Sequence, residues 1–297
     1  MSERFCGVIT PLLTPYNDDL SIAEDLYLEH ASLCLSGGAH YLSPFGTTGE
    51  APSNTSSERM GILEKLISSG AAEPGQIMPG TGLCAFEDTL TLCRHAVDLG
   101  CAAVMILPPF FYVNASDDGL YGYFSRLIHA VGLDRLRVCL YNIPQMAGIG
   151  ISPDLAARLN AAFPDIVVAY KDSSGAWENT EAVIRAVPGM SVFPGAETAM
   201  ARAIELGGGG CISASCNSNI VAIRRYYDML VEGRHDKAEQ MRERIGAHRS
   251  AVADGGLIPA LKSFKSVQTG DRRWLNLRPP LENAKPKFSA PLERTLG

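Results

Sequence analysis

A lysine ends one of the most aliphatic runs of the chain. Residues 166–170 read IVVAY, and Lys171 follows directly, ahead of DSSG at 172–175. Runs of β-branched and aromatic residues are typical of strands buried on both faces. Burial of a lysine favours the neutral amine, which attacks a carbonyl carbon and forms an iminium ion that stabilises a carbanion at the adjacent carbon. The other role open to Lys171 is an ion pair, with Asp172 or Glu197 as the partner.

Two further segments carry groups that suit carbonyl chemistry. Tyr141 ends another aliphatic run, in YNIP at 141–144, where a phenol either passes protons to and from a substrate or is an ordinary interior tyrosine. The turn GTTGE at 46–50 offers the backbone N–H groups of Thr47 and Thr48 to a carboxylate or phosphate. The chain has neither GxxxxGK followed by Ser or Thr nor GxGxxG after its first strand, so nucleotide binding is disfavoured.

Metal chemistry is not expected. No His-x-x-x-His pair, carboxylate cluster or Cys/His set occupies the predicted strand ends. The six histidines fall mainly in predicted helices, where structural or surface roles are expected, at positions 30, 40, 95, 129, 235 and 248. The eight cysteines include no CxxC pair and lie mostly in apolar stretches, which favours buried free thiols in a reducing compartment.

Charge and hydropathy argue against several classes of partner. A net charge of -6 and a pI of about 5.6 leave no basic surface for nucleic acid. The opening residues, MSERFCGVIT, lack the features of a signal peptide. The longest apolar stretch, 101–113, is interrupted by Pro108 and Pro109, so no membrane span is expected. We therefore expect a cytoplasmic protein with no nucleic-acid or membrane partner.

The candidate residues can act together only if the strands that carry them end at the same edge of one sheet. Short apolar runs predict eight strands, at 6–10, 39–45, 76–81, 101–107, 136–142, 166–171, 190–195 and 210–215. Segments with helical periodicity lie between them, the first with Ser21 as its N-cap and Glu24 three residues on. These units predict an α/β fold, a (β/α)8 TIM barrel, with a doubly wound open sheet as the alternative. Chemistry in a barrel lies at the C-terminal strand ends, where GTTGE, Tyr141 and Lys171 fall.

The chain continues beyond the eighth strand–helix unit. Two segments with helical periodicity follow, and then a stretch with many prolines. We therefore predict a catalytic barrel domain over 1–231 and a C-terminal helical region over 232–297. No repeat at a solenoid period interrupts the pattern.

The strand-end motifs together resemble the dihydrodipicolinate synthase/N-acetylneuraminate lyase family of class I, Schiff-base aldolases. Five segments match the family's order and nearly its spacing: GTTGE at 46–50, YNIP at 141–144, YKDSSG at 170–175, PGAE at 194–197 and GGCIS at 209–213. The resemblance covers roughly residues 5 to 230. It implies a (β/α)8 barrel with a C-terminal helical extension, assembled as a homotetramer or homodimer, and no metal or organic cofactor.

The resemblance also assigns roles to individual residues. Lys171 forms the Schiff base with pyruvate or another 2-oxo acid, and Tyr141 relays protons. Thr47 and Thr48 bind the carboxylate of the 2-oxo acid, and Thr47 also belongs to the family's Thr–Tyr–Tyr proton relay. The remaining predicted substrate-binding residues are Gly46, Gly195, Ile212, Met146 and Tyr112.

Two positions depart from the family pattern. Members that make dihydrodipicolinate carry an arginine two residues after the YNxP proline, which grips the second substrate's carboxylate, and here that residue is Met146. These members also carry a paired tyrosine that reaches a neighbouring subunit's site. Here Phe111 occupies that place, and Tyr112 is the nearest phenol. Specificity is expected to come from loop residues such as Met146, Ala147, Asn217 and the segment 110–119.

The leading prediction is a class I lyase that cleaves or condenses a carbon–carbon bond of a hydroxy-2-oxo acid or sugar acid. The alternatives are 4-hydroxy-tetrahydrodipicolinate synthase, a 2-oxo acid dehydratase on the same scaffold, and a non-catalytic 2-oxo acid binding protein. Met146 argues against the synthase, and the presence of both Lys171 and Tyr141 argues against the binding protein.

Overall fold

Parallel strands alternate with helices along the computed structural model, which describes residues 4–285. The strands are β1 Gly7–Thr10, β2 Tyr41–Leu42, β3 Val104–Ile106, β4 Val138–Asn142, β5 Val167–Asp172, β6 Ser191–Pro194 and β7 Gly210–Ile212. The α-helices are α1 Glu24–Ser36, α2 Ser56–Ser68, α3 Phe86–Asp98, α4 Asp117–Val131, α5 Pro144–Ala147, α6 Pro153–Ala162, α7 Trp177–Ala186, α8 Met200–Glu205, α9 Cys216–Val231, α10 His235–Asp254 and α11 Leu257–Thr269. Four short 3-10 turns lie at Ala51–Ser53, Pro74–Gln76, Glu197–Ala199 and Arg272–Leu275.

The described residues form two compact units. Residues 4–7 and 74–212 make up the first unit, and residues 8–73 and 213–285 make up the second. The first unit contains a four-stranded parallel sheet in the order β3-β4-β5-β6. Its strands are nearly continuous runs of buried residues, as expected of a parallel sheet covered on both faces. This sheet carries Tyr141 and Lys171.

The strand predicted at 76–81 does not form as a strand, which corrects that prediction. Met105 N–H donates to Pro79 O at 2.8 Å, and Thr81 N–H donates to Met105 O at 3.0 Å, so the segment runs alongside β3. Only one bridge, between Gly80 and Met105, is formed. Pro79 has no N–H to donate, and this interrupts the ladder. The other seven predicted strands form, six of them with shorter bounds, and β5 keeps the predicted length but is shifted by one residue.

The second unit holds α1, α2 and the helices of the C-terminal region. In it, β1 and β2 pair in parallel, with Ile9 opposite Tyr41. Side chains from its long helices and the turn after them share one buried cluster, which includes Leu26, Val252, Leu261, Phe264 and Trp274. The helices α10 and α11 confirm the predicted C-terminal helical extension over residues 235–269, whereas residues 276–285 form no helix. The rest of that region, 286–297, lies outside the described residues.

The first two helices differ in how their N-termini are capped. The first helix begins at Glu24, and its N-cap is Ala23, with no side-chain cap. The Ser21 hydroxyl instead donates to the Asp19 carboxylate at 2.6 Å, so the predicted cap at Ser21 is wrong. By contrast, Thr55 and Glu58 form a full capping box at the start of α2, directly after GTTGE.

Two further features concern the state of the cysteine thiols and the apolar character of the helices. All eight cysteines are free thiols, and five of them are buried, which confirms the prediction of mostly buried thiols. Within residues 4–285, no helix combines the length and the apolar character that crossing a membrane requires.

Candidate active site

Adjacent strands place Tyr141 and Lys171 side by side. The two residues are register partners in the parallel pair β4 and β5. Lys171 is 4% exposed and Tyr141 is 2% exposed. The Lys171 Nζ lies 4.0 Å from the centroid of the Tyr141 ring, a cation–π distance. The predicted nucleophile and the predicted proton-transfer group therefore lie in contact at the C-terminal ends of their strands.

Asp172 is not the ion-pair partner of Lys171. Successive side chains of a strand point to opposite faces, so the carboxylate that follows Lys171 faces away from it. Neutral groups donate to this carboxylate: Asn142 Nδ2 at 3.0 Å, Asn179 Nδ2 at 3.0 Å, Thr180 Oγ1 at 2.7 Å and Ser174 N–H at 3.0 Å. Within the first unit as described, Lys171 forms no ion pair.

The Asp172 network fixes the ends of both strands. Asn142 donates to Asp172 and accepts from Ile151 N–H at 2.9 Å, which ties the end of β4 to the end of β5. Asn179 and Thr180 lie in α7, so the same carboxylate also anchors the helix that follows β5. Our sequence reasoning missed this network. The signal was present, because Asn142 and Asp172 each directly follow a predicted catalytic residue.

Gly195 and Ile212 end the next strands of the first unit. Gly195 N–H donates to Asp172 O at 2.6 Å. A Cβ at this position would clash with the Ser173 hydroxyl and would lie 3.2 Å from Asp172 O, so the close approach favours glycine. Ile212 is buried at the end of β7. Both keep their predicted place at strand ends.

Met146 lies on the short helix α5, which follows YNIP. Its side chain is 70% exposed, whereas Ala147 beside it is buried. The neighbouring Gln145 donates to Ser173 O at 2.6 Å and links the loops after β4 and β5. An exposed thioether offers neither a charge nor a strong hydrogen bond to a carboxylate.

The structure does not bring Tyr112 into the buried Lys171–Tyr141 pair. Tyr112 is 71% exposed, and its ring packs edge-on against Phe111 with the centroids 5.7 Å apart. Phe111 itself has φ of +99°, a conformation that costs a non-glycine residue backbone strain. The two rings form an exposed aromatic pair on the loop after β3.

The GTTGE turn belongs to the second unit. Gly49 N–H donates to Gly46 O and Glu50 N–H donates to Thr47 O, each at 3.1 Å, which closes the turn. Thr48 is buried, and among residues 4–285 its N–H donates to no partner. A buried donor of this kind requires an acceptor. The Thr48 amide therefore suits the carboxylate-binding role predicted for it.

A buried ion pair lies behind this turn. Glu50, at the end of GTTGE, has φ of +53° and pairs with Lys262 of α11. The ammonium of Lys262 also donates to Asn276 O at 2.8 Å and lies 4.4 Å from the centroid of the Tyr16 ring. Burial lowers the pKa of Lys262 and raises the pKa of Glu50. Our sequence reasoning missed this pair, because no local pattern relates positions so far apart in the chain.

Residues of the second unit occupy every hydrogen-bonding group of the Asn217 side chain. Its amide donates to Pro11 O at 2.8 Å and Ala214 O at 2.9 Å. Its oxygen accepts from Leu13 N–H at 3.1 Å and lies 2.8 Å from His30 Nε2. No hydrogen-bonding capacity is left for a substrate, which corrects the expectation that Asn217 sets specificity.

Comparison with known proteins identifies the family. The model of the dihydrodipicolinate synthetase family matches residues 4–296. The chain belongs to the dihydrodipicolinate synthetase family. It is 34% identical over 278 residues to an uncharacterized DapA-like lyase of Chloroflexus aurantiacus, covering 93% of this chain and 90% of that protein. It is 29% identical over 291 residues to a 4-hydroxy-tetrahydrodipicolinate synthase of Thermus thermophilus, covering 98% and 95% of the two chains.

Solved structures agree with the family model. A dihydrodipicolinate synthase from Agrobacterium tumefaciens is 33% identical, with a TM-score of 0.88 over 97% of each chain. This likeness confirms the predicted (β/α)8 barrel with C-terminal helices over the open-sheet alternative. Membership of the dihydrodipicolinate synthetase family also confirms the predicted class, a class I aldolase-type lyase.

Proposed function

We propose that Lys171 forms a Schiff base with pyruvate or another 2-oxo acid, and that a carbon–carbon bond next to the iminium carbon is then cleaved or formed. The observation that carries this proposal is the contact between the buried Lys171 amine and the Tyr141 ring, with the Asp172 carboxylate turned away. A buried amine beside a phenol and away from the adjacent carboxylate suits nucleophilic attack better than an ion pair.

The proposed reaction involves the substrate, water and the side chains of Lys171 and Tyr141. The Lys171 amine adds to the C2 carbonyl, and the carbinolamine loses water to give the iminium ion. In the cleavage direction the C4 hydroxyl loses its proton, the C3–C4 bond breaks, and its electron pair forms the enamine while an aldehyde departs. Protonation at C3 and hydrolysis release the 2-oxo acid. Tyr141 is the group that moves protons at the carbinolamine and at the substrate oxygen.

The remaining residue assignments rest on the family resemblance. Thr47 and Thr48 are proposed to hold the carboxylate of the 2-oxo acid, with Thr47 also in the proton relay. Gly46, Gly195, Ile212, Met146 and Tyr112 are proposed as substrate-binding residues. The buried Thr48 amide and the close packing at Gly195 support two of these assignments.

The test is covalent trapping. Incubation with pyruvate and borohydride, followed by peptide mass spectrometry, is expected to find a reduced pyruvate adduct on Lys171. The buried lysine Lys262 serves as an internal control and is expected to stay unmodified. An adduct on Lys262 in place of Lys171, or an unmodified Lys171, would contradict the mechanism.

We propose a hydroxy-2-oxo acid or sugar acid as the substrate. The exposed Met146 supports this choice, because it stands where the resemblance implies an arginine in members that make dihydrodipicolinate. A panel of such acids is expected to release pyruvate on cleavage. A dehydratase would instead conserve the carbon skeleton, so product analysis separates the two reactions.

The relatives that are synthases support a second candidate, 4-hydroxy-tetrahydrodipicolinate synthase. This candidate predicts condensation of pyruvate with aspartate semialdehyde by the unaltered enzyme. If Met146 is the reason for weak condensation, Met146→Arg is expected to raise the rate of condensation. Because position 146 is exposed, the longer side chain should not disturb folding. Strong condensation by the unaltered enzyme would favour the synthase over our first choice.

Assembly, compartment and domain roles are also proposed from the resemblance and the thiols. We propose a cytoplasmic homotetramer or homodimer that needs no metal or organic cofactor, with residues 1–231 as the catalytic barrel and 232–297 as the helical region. Light scattering during size-exclusion chromatography measures the assembly. Activity that persists in the presence of a chelator checks the expected independence from metal.

A further inference from the structure

A cavity of about 550 Å³ lies among α1, α9, α10 and α11 of the second unit. Its volume is in the range of small-molecule sites. Three cationic side chains, Arg225, Arg244 and Lys265, line it, and no Asp or Glu is among its described lining residues. The chain as a whole carries a net charge of -6, so the charge of this cavity is opposite to that of the protein. Such a cavity attracts anions.

Among these three cationic side chains, Lys265 gives the strongest indication of an anionic ligand. It is 3% exposed, and its ammonium donates to the neutral Gln268 Oε1 at 2.8 Å. Within the second unit as described, no carboxylate forms an ion pair with it. Burial lowers the pKa of Lys265, although Cys34 and Glu29 act in the other direction. A buried ammonium without a counter-ion is costly, and an anionic ligand would supply the missing charge.

The helix α9 is kinked where it borders the cavity. The helix is broken at Asn219, where φ is -140° and ψ is 35°, so helical conformation resumes at Ile220. Ile220, Val221 and Ala222 all line the cavity.

The neutral part of the lining indicates an organic anion. Burial lowers the pKa of His30 to about 3, so this ring is neutral at physiological pH. Aliphatic side chains form much of the remaining wall, among them Leu33, Ile220 and Ile245. An occupant that suits this lining has a charged head and an apolar part.

We propose that this cavity binds a small organic anion, with a carboxylate or phosphate group at Lys265 and its carbon part against the aliphatic wall. The site lies in helices that carry none of the residues assigned to Schiff-base chemistry. The proposal therefore stands independently of the proposed function.

Calorimetric titration with citrate and, separately, with glycerol phosphate tests the proposal and separates the two head groups. Sodium chloride holds the ionic strength constant. Saturable binding of either anion to the wild type supports the site, and binding of neither overturns it. Because either anion could also bind at Lys171, the decisive measurement is the dependence of the dissociation constant on the cavity residues.

Val221→Glu and Val231→Glu form a matched pair. Both valines are exposed residues of α9, at 57% and 60%, but only Val221 lines the cavity. Val221→Glu is expected to raise the dissociation constant by at least about tenfold through like-charge repulsion. Val231→Glu is expected to leave it within about twofold, since at a distant exposed site the charge is screened. Equal effects of the two substitutions would overturn the proposal.

Lys265→Met removes the ammonium and keeps the length of the side chain. It is expected to weaken binding by at least about tenfold, the equivalent of one lost charge-assisted hydrogen bond. Lys237→Met, at an exposed position of α10 that does not line the cavity, is the control and is expected to bind as the wild type does. Wild-type affinity in Lys265→Met would contradict the proposal. If Lys265→Met does not fold, the valine pair decides the question.

Discussion

The Lys171 Nζ lies 4.0 Å from the centroid of the Tyr141 ring, whereas the hydroxyl of Tyr170 donates to Ile151 O at 2.7 Å. Tyr170 directly precedes Lys171 in β5, so its ring lies on the opposite face of the sheet. One buried tyrosine is therefore in contact with the amine, and the other is used in packing the strand against the segment after α5. Removing each hydroxyl in turn therefore compares a phenol in contact with the amine with a phenol on the other face of the sheet.

Tyr141→Phe is expected to lower kcat by roughly 10²- to 10⁴-fold, the usual contribution of a positioned proton-transfer group. Tyr170→Phe is expected to reduce the free energy of unfolding by about 1 kcal/mol through the lost hydrogen bond, with little effect on kcat. Steady-state kinetics and urea denaturation measure the two effects. A Tyr141→Phe enzyme with wild-type kcat would remove Tyr141 from the mechanism.

The fold and the reactive pair could be predicted because their signals are local. Aliphatic runs ending in Tyr141 and Lys171 placed both residues at strand ends. One error arose where distant partners decide the outcome, and another where a proline inside the segment was overlooked. The Asn217 side chain is hydrogen-bonded to groups on α1 and on the segment after β1. Pro79 lacks the N–H that a strand ladder at 76–81 needs. Burial of Lys262 against Glu50 has no local signature at all.

Gly195→Ala is expected to destabilise the protein. Its Cβ would clash with the Ser173 hydroxyl and would lie 3.2 Å from Asp172 O, and such overpacking costs about 1–3 kcal/mol. Because Asp172 directly follows Lys171, kcat should also fall. Gly61→Ala is the matched control: no atom lies near its Cβ, and a glycine in a helix interior is less stable than alanine by about 1 kcal/mol. Thermal unfolding should shift in opposite directions in the two variants.

The Glu58–Arg278 pair predicts a specific pH dependence of stability. Hydrogen bonds from Arg278, at 2.5 Å and 3.0 Å, lower the pKa of Glu58 from 4.5 to about 2. A carboxyl with a lowered folded pKa adds stability that is present above its unfolded pKa and is lost as the pH falls through its folded pKa. Because Glu58 is partly exposed, we expect a contribution of no more than about 1 kcal/mol.

The measurement compares wild type with Arg278→Met by urea denaturation from about pH 6 down to about pH 3. The difference in the free energy of unfolding should shrink as the pH falls below 4.5, the usual pKa of the carboxyl. In a Glu58→Gln background most of this pH dependence should disappear, and only the smaller influence of Arg278 on the pKa of Glu50 should be left. A pH-dependent difference that persists at full size in this background would assign the titration to another group.

The Glu50–Lys262 pair is expected to hold the GTTGE turn in its strained conformation. Both side chains are fully buried, so removing one charge leaves the other without a partner. Lys262→Met is therefore expected to cost about 3–5 kcal/mol in the free energy of unfolding, and Glu50→Gln a similar amount. The double variant should lose much less than the sum, because no buried charge is left unpaired. If Thr47 and Thr48 bind the substrate carboxylate, variants that fold should also show a raised KM for the 2-oxo acid, since Glu50 ends the same turn. Strictly additive losses, measured by urea denaturation, would show that the two side chains act separately.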